Sequence, residues 1–406
     1  MNYKKLLIVL LFIFFVLGIG FGLYWVFFRT PEPGTGPGGF NAGNIPDIGP
    51  GNITVVNGLA NDVNGLPWQQ YVTDKVSPVA TGGLTAVTEV AQGNISGLDA
   101  SPDGLSFYNQ NSQQFFKIGD KGQLVPLSDK KFFQVQSITW SGKGDKAILE
   151  YPDGSNILYN FKTGKQVTLP LELEDFSFST DGGQISAKWM GGSDDNNWVV
   201  AAKDDGSGMF LIEPLGDQSY NTQIGFSPDN QIAALYTTHY DSQRQEVFPI
   251  GLNGENFKSF VVSGSGFESK WSPGGERLIY SVYSDATDYN PTMWVTQGRT
   301  SELGDLKVAL NVSTWPDKCA FGGGDSMICA VPQGLPRGAG LYPEIASKYP
   351  DNFYSIDLNT GVKNLIASPV GARGSYSAYN LSVSSDGTRL YFVDKNTGTL
   401  QSIRLK

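Results

Sequence analysis

The chain has 406 residues, with 39 acidic side chains against 29 basic ones, a net charge of −10 and an isoelectric point near 4.7. That balance excludes a nucleic-acid binder of the usual kind, which neutralises phosphates with clustered Lys and Arg. Only 17% of residues are charged and 50 are Gly, a balance that suits turn-rich β structure better than disorder.

Residues 1–5 include Lys4 and Lys5, and residues 6–28 form an uncharged apolar run. As a helix this run covers roughly 35 Å, enough to cross a bilayer. Tyr24 and Trp25 stand near its far end, where amphipathic rings favour the interface, and only Arg29 is basic beyond it. The positive-inside rule predicts a single-pass anchor in the cytoplasmic membrane, with residues 1–5 cytoplasmic and the remainder outside. No small-residue cleavage site follows and no Cys is placed to carry a lipid, so the run is read as an uncleaved anchor.

Residues 29–52 hold five Pro and seven Gly with few apolar side chains, the composition of a linker. Residues 53–82 carry Trp68 and Tyr71 but no complete repeat. They are expected to pack against the following domain as an extended arm, or to add strands at its edge.

From residue 83 to 406 the chain repeats a hairpin. Its clearest copy spans residues 267–282, where aromatic and branched residues flank Ser272-Pro-Gly-Gly275. Pro presets φ at the first turn corner and Gly tolerates positive φ at the next. Copies open at Ser101, Ser141, Ser179, Ser227, Ser272, Gly322 and Ser384, the sixth being degenerate. Their spacings of 40, 38, 48, 45, 50 and 62 residues predict an all-β, seven-bladed β-propeller of four-stranded blades. The last repeat supplies only three strands, so residues 84–90, which alternate like a strand, are expected to complete it and close the ring. A second turn signal, Lys162-Thr-Gly164 and Asn359-Thr-Gly361, marks the hairpin between third and fourth strands.

The only cysteines, Cys319 and Cys329, flank the degenerate sixth turn symmetrically about residue 324. If residues 319–321 and 327–329 pair as an antiparallel hairpin, the sulfurs face each other within bridging range. A disulfide there implies an oxidising compartment. The alternative is a pair of inert buried thiols.

The pattern aromatic-Ser-Pro-Asp/Gly-Gly-x-x-aliphatic-x-aromatic is clearest at residues 271–280, 98–108 and 226–236. It resembles the WD40-like repeats of the TolB family, and similar repeats form the propeller domains of prolyl oligopeptidases. Residues 318–321 and 328–332 also resemble a stretch of membrane-anchored bacterial propellers. These resemblances imply a fold and no particular activity.

Motifs for chemistry are sparse. No Gly-x-Ser-x-Gly elbow occurs, and no segment is left over for a hydrolase domain. His239 is the only His, which excludes a His-based metal cluster within the chain; alone in a polar stretch, it is read as a surface group. Asp194, Asp195, Asp285 and Asp288 are oxygen-rich loop residues, but they do not follow the spaced Ca²⁺ loop pattern. No metal and no cofactor are expected.

The long insertions follow strand two of blades three to six: residues 190–197, 237–245, 284–291 and 332–352. Loops after second strands share one face, and insertions gathered on one face of a repeat protein commonly mark its binding surface. The candidate binding residues there are Trp189, Asp194, Asp195, His239, Tyr240, Arg244, Asp285, Tyr289, Arg337, Tyr342 and Tyr349. Aromatic residues and Arg are enriched in protein contacts. The expected function is non-enzymatic binding of a protein or envelope polymer outside the membrane. The alternative is a glycan-active hydrolase or lyase using the loop carboxylates, which must then lie within about 10 Å of each other.

Overall fold

A computed structural model describes residues 17–18, 75–101, 104–119, 122–372 and 374–406. Leu17 and Gly18 are helical; the rest of the apolar run 6–28, the linker 29–52 and residues 53–74 of the arm lie outside the described residues. Among the described residues, no helix is long and apolar enough to cross a membrane.

Residues 71–406 form one unit, and its seven sheets, antiparallel except for one added edge strand, are the blades of a propeller. Blade 1 is Ile95–Ser101, Gly104–Asn109, Gln114–Ile118 and Leu124–Pro126; blade 2 is Ser137–Trp140, Lys146–Glu150, Asn156–Asn160 and Gln166–Leu169. Blade 3 is Leu173–Phe178, Gln184–Trp189, Trp198–Lys203 and Phe210–Pro214; blade 4 is Thr222–Ile224, Ile232–His239, Arg244–Gly251 and Phe260–Ser263. Blade 5 is Ser265–Trp271, Arg277–Tyr283, Thr292–Gln297 and Val308–Ala309; blade 6 is Cys319–Gly323, Ser326–Pro332, Asp351–Asp357 and Lys363–Val370. Blade 7 is Ala378–Val383, Arg389–Asp394, Leu400–Arg404 and, from the other end of the propeller sequence, Thr88–Ala91.

All seven anchor residues open the turn between first and second strands, including Gly322 in the degenerate copy. Side-chain chemistry explains why this turn recurs. Ser227 Oγ donates to Asp229 Oδ1 (2.5 Å) and accepts from the Ile232 amide (2.9 Å), so one hydroxyl closes the turn from inside. Successive turns also touch: Thr180 binds Asn230 Oδ1 and the Pro228 carbonyl. Gly275, at φ +79°, lies so close to Pro228 that a Cβ would approach it to 3.0 Å.

Between blades the second and third strands bury apolar side chains. The largest aromatic group lies where blades 1 and 2 meet. Phe115 makes edge contacts with Phe132, Trp140 and Phe161 at centroid distances of 5.1, 5.6 and 4.9 Å. Trp140 Nε1 also donates to the Gly97 carbonyl (2.7 Å), linking the two innermost strands.

Two sequence expectations need correction. Residues 84–90 do not form one strand. Leu84–Ala86 pairs in parallel with Lys363–Val370 and adds a fifth strand to blade 6, and Thr88–Ala91 alone pairs antiparallel with Leu400–Arg404 to complete blade 7. Passing blade 6 on its way to blade 7, the chain takes up the open edge of the eight-residue outer strand. The described end of the arm continues this seam, with Ala80 donating to the Arg404 carbonyl and Gly82 to that of Ile366.

The second correction concerns 237–245. Thr237, Thr238 and His239 pair with Val247, Glu246 and Gln245, so the central strands of blade 4 run on and only residues 240–243 form a loop.

Candidate functional site

The loop-rich face is most built up over blades 5 and 6. Residues 333–350 of blade 6 fold around a small core of their own, in which Trp315, Ala339 and Ala346 are buried and Leu335 and Ile345 pack against them. This loop clasps the 284–291 loop of blade 5. The amides of Gly338 and Gly340 donate to the carbonyls of Asp288 and Tyr289 (both 2.8 Å), and the Ala339 amide donates to Asn290 Oδ1 (3.2 Å). Gly340 is required by proximity, since a Cβ there would stand 2.7 Å from the Tyr283 Cβ and from the Tyr289 oxygen.

Asp288 and Tyr289 both adopt left-handed backbone, with φ of +53° and +54°. Two successive non-Gly residues in that region are costly, and the surrounding bonds hold them there. The result is a rigid double loop whose tip exposes Leu341 (47%) and Tyr342 (71%).

The base of the loop is held by charge. Lys318 Nζ lies 2.9 Å from Asp351 Oδ2, with both side chains buried, and the ammonium also donates to the Ala378 carbonyl (2.5 Å). The Ala378 amide donates to the same carboxylate oxygen, and Asp351 Oδ1 has no partner among the described residues. Burial pushes the Asp351 carboxyl up to about 6 despite Lys318 beside it. Cys319, next in sequence, is bonded to Cys329 across the first hairpin of blade 6, at a Cα separation of 4.1 Å.

The other sequence-selected residues are not all brought together. Arg337 leans over the Tyr289 ring (5.8 Å) and stands 3.9 Å from Asp288 Oδ1, so these belong to the clasp. Tyr349 is half-buried behind the tip, its amide bonded to the Ala346 carbonyl. On blade 4, Arg244 is engaged by Asp241 (2.6 Å) and lies over the exposed Tyr240 ring (4.7 Å), while His239 is exposed at its strand end. Trp189 packs against the core of blade 3. Asp194 and Asp195 form an exposed single turn on blade 3, and Asp285 is exposed on blade 5, so blade 4 stands between these carboxylates. Among the described residues, no group of three or more His, Cys, Asp or Glu is placed to hold a metal ion.

The first strands enclose an axial channel of about 540 Å³ that sequence reasoning did not find. Asp99 of blade 1, Glu268 and Lys270 of blade 5, and Asp317 of the connection into blade 6 line it. Lys270 Nζ donates to the Cys319 carbonyl (2.8 Å), and burial holds its ammonium below the usual Lys range. Burial pushes Asp99 up to about 6, Lys270 opposing. Glu268 is exposed at the channel, yet desolvation, aided by Asp317, pushes it up to about 7. The visible signal was Glu268-Ser-Lys270, two charges on one side of a strand inside the organising repeat.

No family model matches the chain, and no curated protein sequence is detectably similar. Solved structures are similar in fold. The β-propeller domain of Cps50 (Swd1) from Myceliophteria thermophila matches with 12% identity and a TM-score of 0.52, over 79% of this chain and 100% of that one. An oligogalacturonate lyase from Vibrio parahaemolyticus matches with 10% identity and a TM-score of 0.50, over 79% and 93%. TolB from Acinetobacter baumannii matches with 13% identity and a TM-score of 0.42, over 66% of this chain and 61% of TolB. At these identities the likeness establishes architecture alone, and the chain is a seven-bladed β-propeller.

Proposed function

We propose that this protein is a non-enzymatic binding module. The apolar run 6–28 anchors it in the cytoplasmic membrane, its propeller lies outside, and its partner is a protein or envelope polymer held on the double loop of blades 5 and 6. The observation that carries this reading is the clasp itself: left-handed residues 288 and 289, fixed together with Asn290 by three hydrogen bonds from the neighbouring blade, hold Leu341 and Tyr342 in solvent. A preorganised surface with exposed aromatic and aliphatic anchors binds at low entropic cost.

The test is a photo-crosslinking residue placed at Tyr342 in the membrane-bound protein in its native cells, with a second placed at Lys162 on the opposite turn face. One reproducible adduct from position 342, missing from position 162, is the expected result. Identical products from both positions would overturn the assignment of the partner to this face.

A further inference from the structure

We propose that the groove between the rims of blades 3 and 4 is a binding site for a neutral oligosaccharide. This inference is independent of the docking surface on the double loop.

The groove exists because blade 4 is incomplete at its rim. Its outer strand, Phe260–Ser263, pairs only with residues 244–247 of the third strand, so residues 248–251 run on past it. Beside this stretch lies the outer strand of blade 3, Phe210–Pro214. The cavity between them has a volume of about 650 Å³, within the ~300–1,000 Å³ range of small-molecule sites. Ile212 and Ile250 form its floor, packed on the buried cluster of Val199, Leu215 and Ala234.

Aromatic side chains supply one half of the recognition. Thr222, Tyr236 and Phe248 stand directly opposite one another on the first three strands of blade 4, so their side chains form a row across one face of the sheet. Tyr236 and Phe248 line the groove with their rings 6.1 Å apart and inclined by 37°, and Phe248 is exposed. The carbon-bound hydrogens on one face of a pyranose ring pack against such a surface, while its hydroxyls point to the sides.

Polar groups around the rings supply the other half. Gln218 is oriented by two neighbours: its amide donates to Asp217 Oδ1 (2.7 Å) and its oxygen accepts from Asn221 Nδ2 (2.9 Å), which leaves one N–H to donate. Thr238, two positions on from Tyr236, adds a hydroxyl on the same face, and Glu213 adds a carboxylate from blade 3. At the inner end of the row Thr222 Oγ1 is buried and has no partner among the described residues, a cost that a ligand hydroxyl or a bridging water relieves.

Charge selects the class of ligand. The described residues lining the groove include the carboxylates of Glu213 and Glu255 and no cationic side chain. Asn253 bonds both oxygens of Glu255 within its own turn, which holds that carboxyl below its usual range. An acidic polymer is repelled here, whereas a neutral sugar brings both donors and acceptors to groups of both kinds.

The experiment applies the intact protein to an array of neutral cello-, xylo-, manno-, malto- and chito-oligosaccharides beside oligogalacturonates, followed by titration with the neutral glycan retained best. Saturable retention of neutral glycans alone is the expected result. Phe248→Leu, which keeps apolar bulk but removes the ring, is expected to lose at least about tenfold in affinity, and Phe248→Tyr to bind like the wild type. Tyr342→Ala is expected to bind like the wild type too, which separates this site from the double loop. Failure to retain any neutral glycan, or retention of the oligogalacturonates in their place, would overturn the proposal. So would equal affinity of Phe248→Leu and the wild type, or an equal loss in Phe248→Leu and Phe248→Tyr.

Discussion

Blades 2 and 6 are the same four-stranded unit stabilised in different ways. Blade 2 has strands of four or five residues, tight turns, and an aromatic cluster in which Trp140, Tyr159 and Phe161 pack together with Phe115 and Phe132. Blade 6 has strands of five to eight residues, a disulfide, a buried ion pair at its rim and a fifth, parallel strand at its edge. Its two central strands are also separated by residues 333–350, so aligning them closes a much longer loop than in blade 2. Apolar packing suffices where the chain turns back at once. Where a large loop intervenes, directional and covalent ties hold the base of the loop in register.

The sharpest way to break this contrast is at the ion pair. Lys318→Met leaves Asp351 buried without its cation and is expected to cost about 3–5 kcal/mol in urea unfolding. Lys318→Met/Asp351→Asn, which removes the buried charge while keeping an acceptor for the Ala378 amide, should recover part of that loss. A single-variant cost below about 1 kcal/mol would make the pair incidental to blade 6.

A smaller effect is expected from the disulfide. It closes a separation of ten residues, so Cys319→Ser/Cys329→Ser should cost roughly 2–3 kcal/mol. Hydrogen exchange should rise in blade 6 and in the 333–350 loop before it rises in blade 2. Uniform loosening around the ring would contradict the idea that blade 6 is stapled on behalf of its own loop.

The smallest effect is the pH dependence of stability. Asp99, Glu268 and Asp351 have folded-state values of about 6, about 7 and about 6, above their ordinary values of 3.8, 4.5 and 3.8. The folded state therefore holds these protons more tightly. Their contribution to stability is complete below the ordinary values and is lost as pH rises through the folded ones. Across about pH 4.5 to 7 the melting temperature of Asp99→Asn/Glu268→Gln should accordingly vary less steeply than that of the wild type, by no more than a few degrees because Glu268 is exposed and solvent screens it. A steeper variant profile would rule out these two groups as the source.

What could be read in the sequence follows the same division. All seven anchors open the turn between a blade's first and second strands, and at the six that are Ser the hydroxyl bonds to groups a few positions away. The facing of Cys319 and Cys329 was likewise legible from their symmetry about a short turn. Pairing of Leu84–Ala86 with Ser368–Val370 was not, since it depends on which edge the closing chain passes. The channel was hidden for a related reason. Asp99 and Glu268 look like the solvent-facing half of ordinary alternating strands, and only the closed ring shows that this face points to the axis. The clasp between Gly340 and Tyr289 joins insertions from two repeats, so no single repeat contains its signal.

The seam between Thr88–Ala91 and Leu400–Arg404 also constrains the order of events in biosynthesis. Ser402 Oγ reaches the Thr88 carbonyl across 314 positions, so the earliest strand of the ring emerges long before its mate exists. Blades made of neighbouring residues can form during synthesis, but the circle can be completed only in a last, slow step of high contact order. Until then, the same stretch of chain leaves two blades with open edges, and any helper that shields it would act late and at one place.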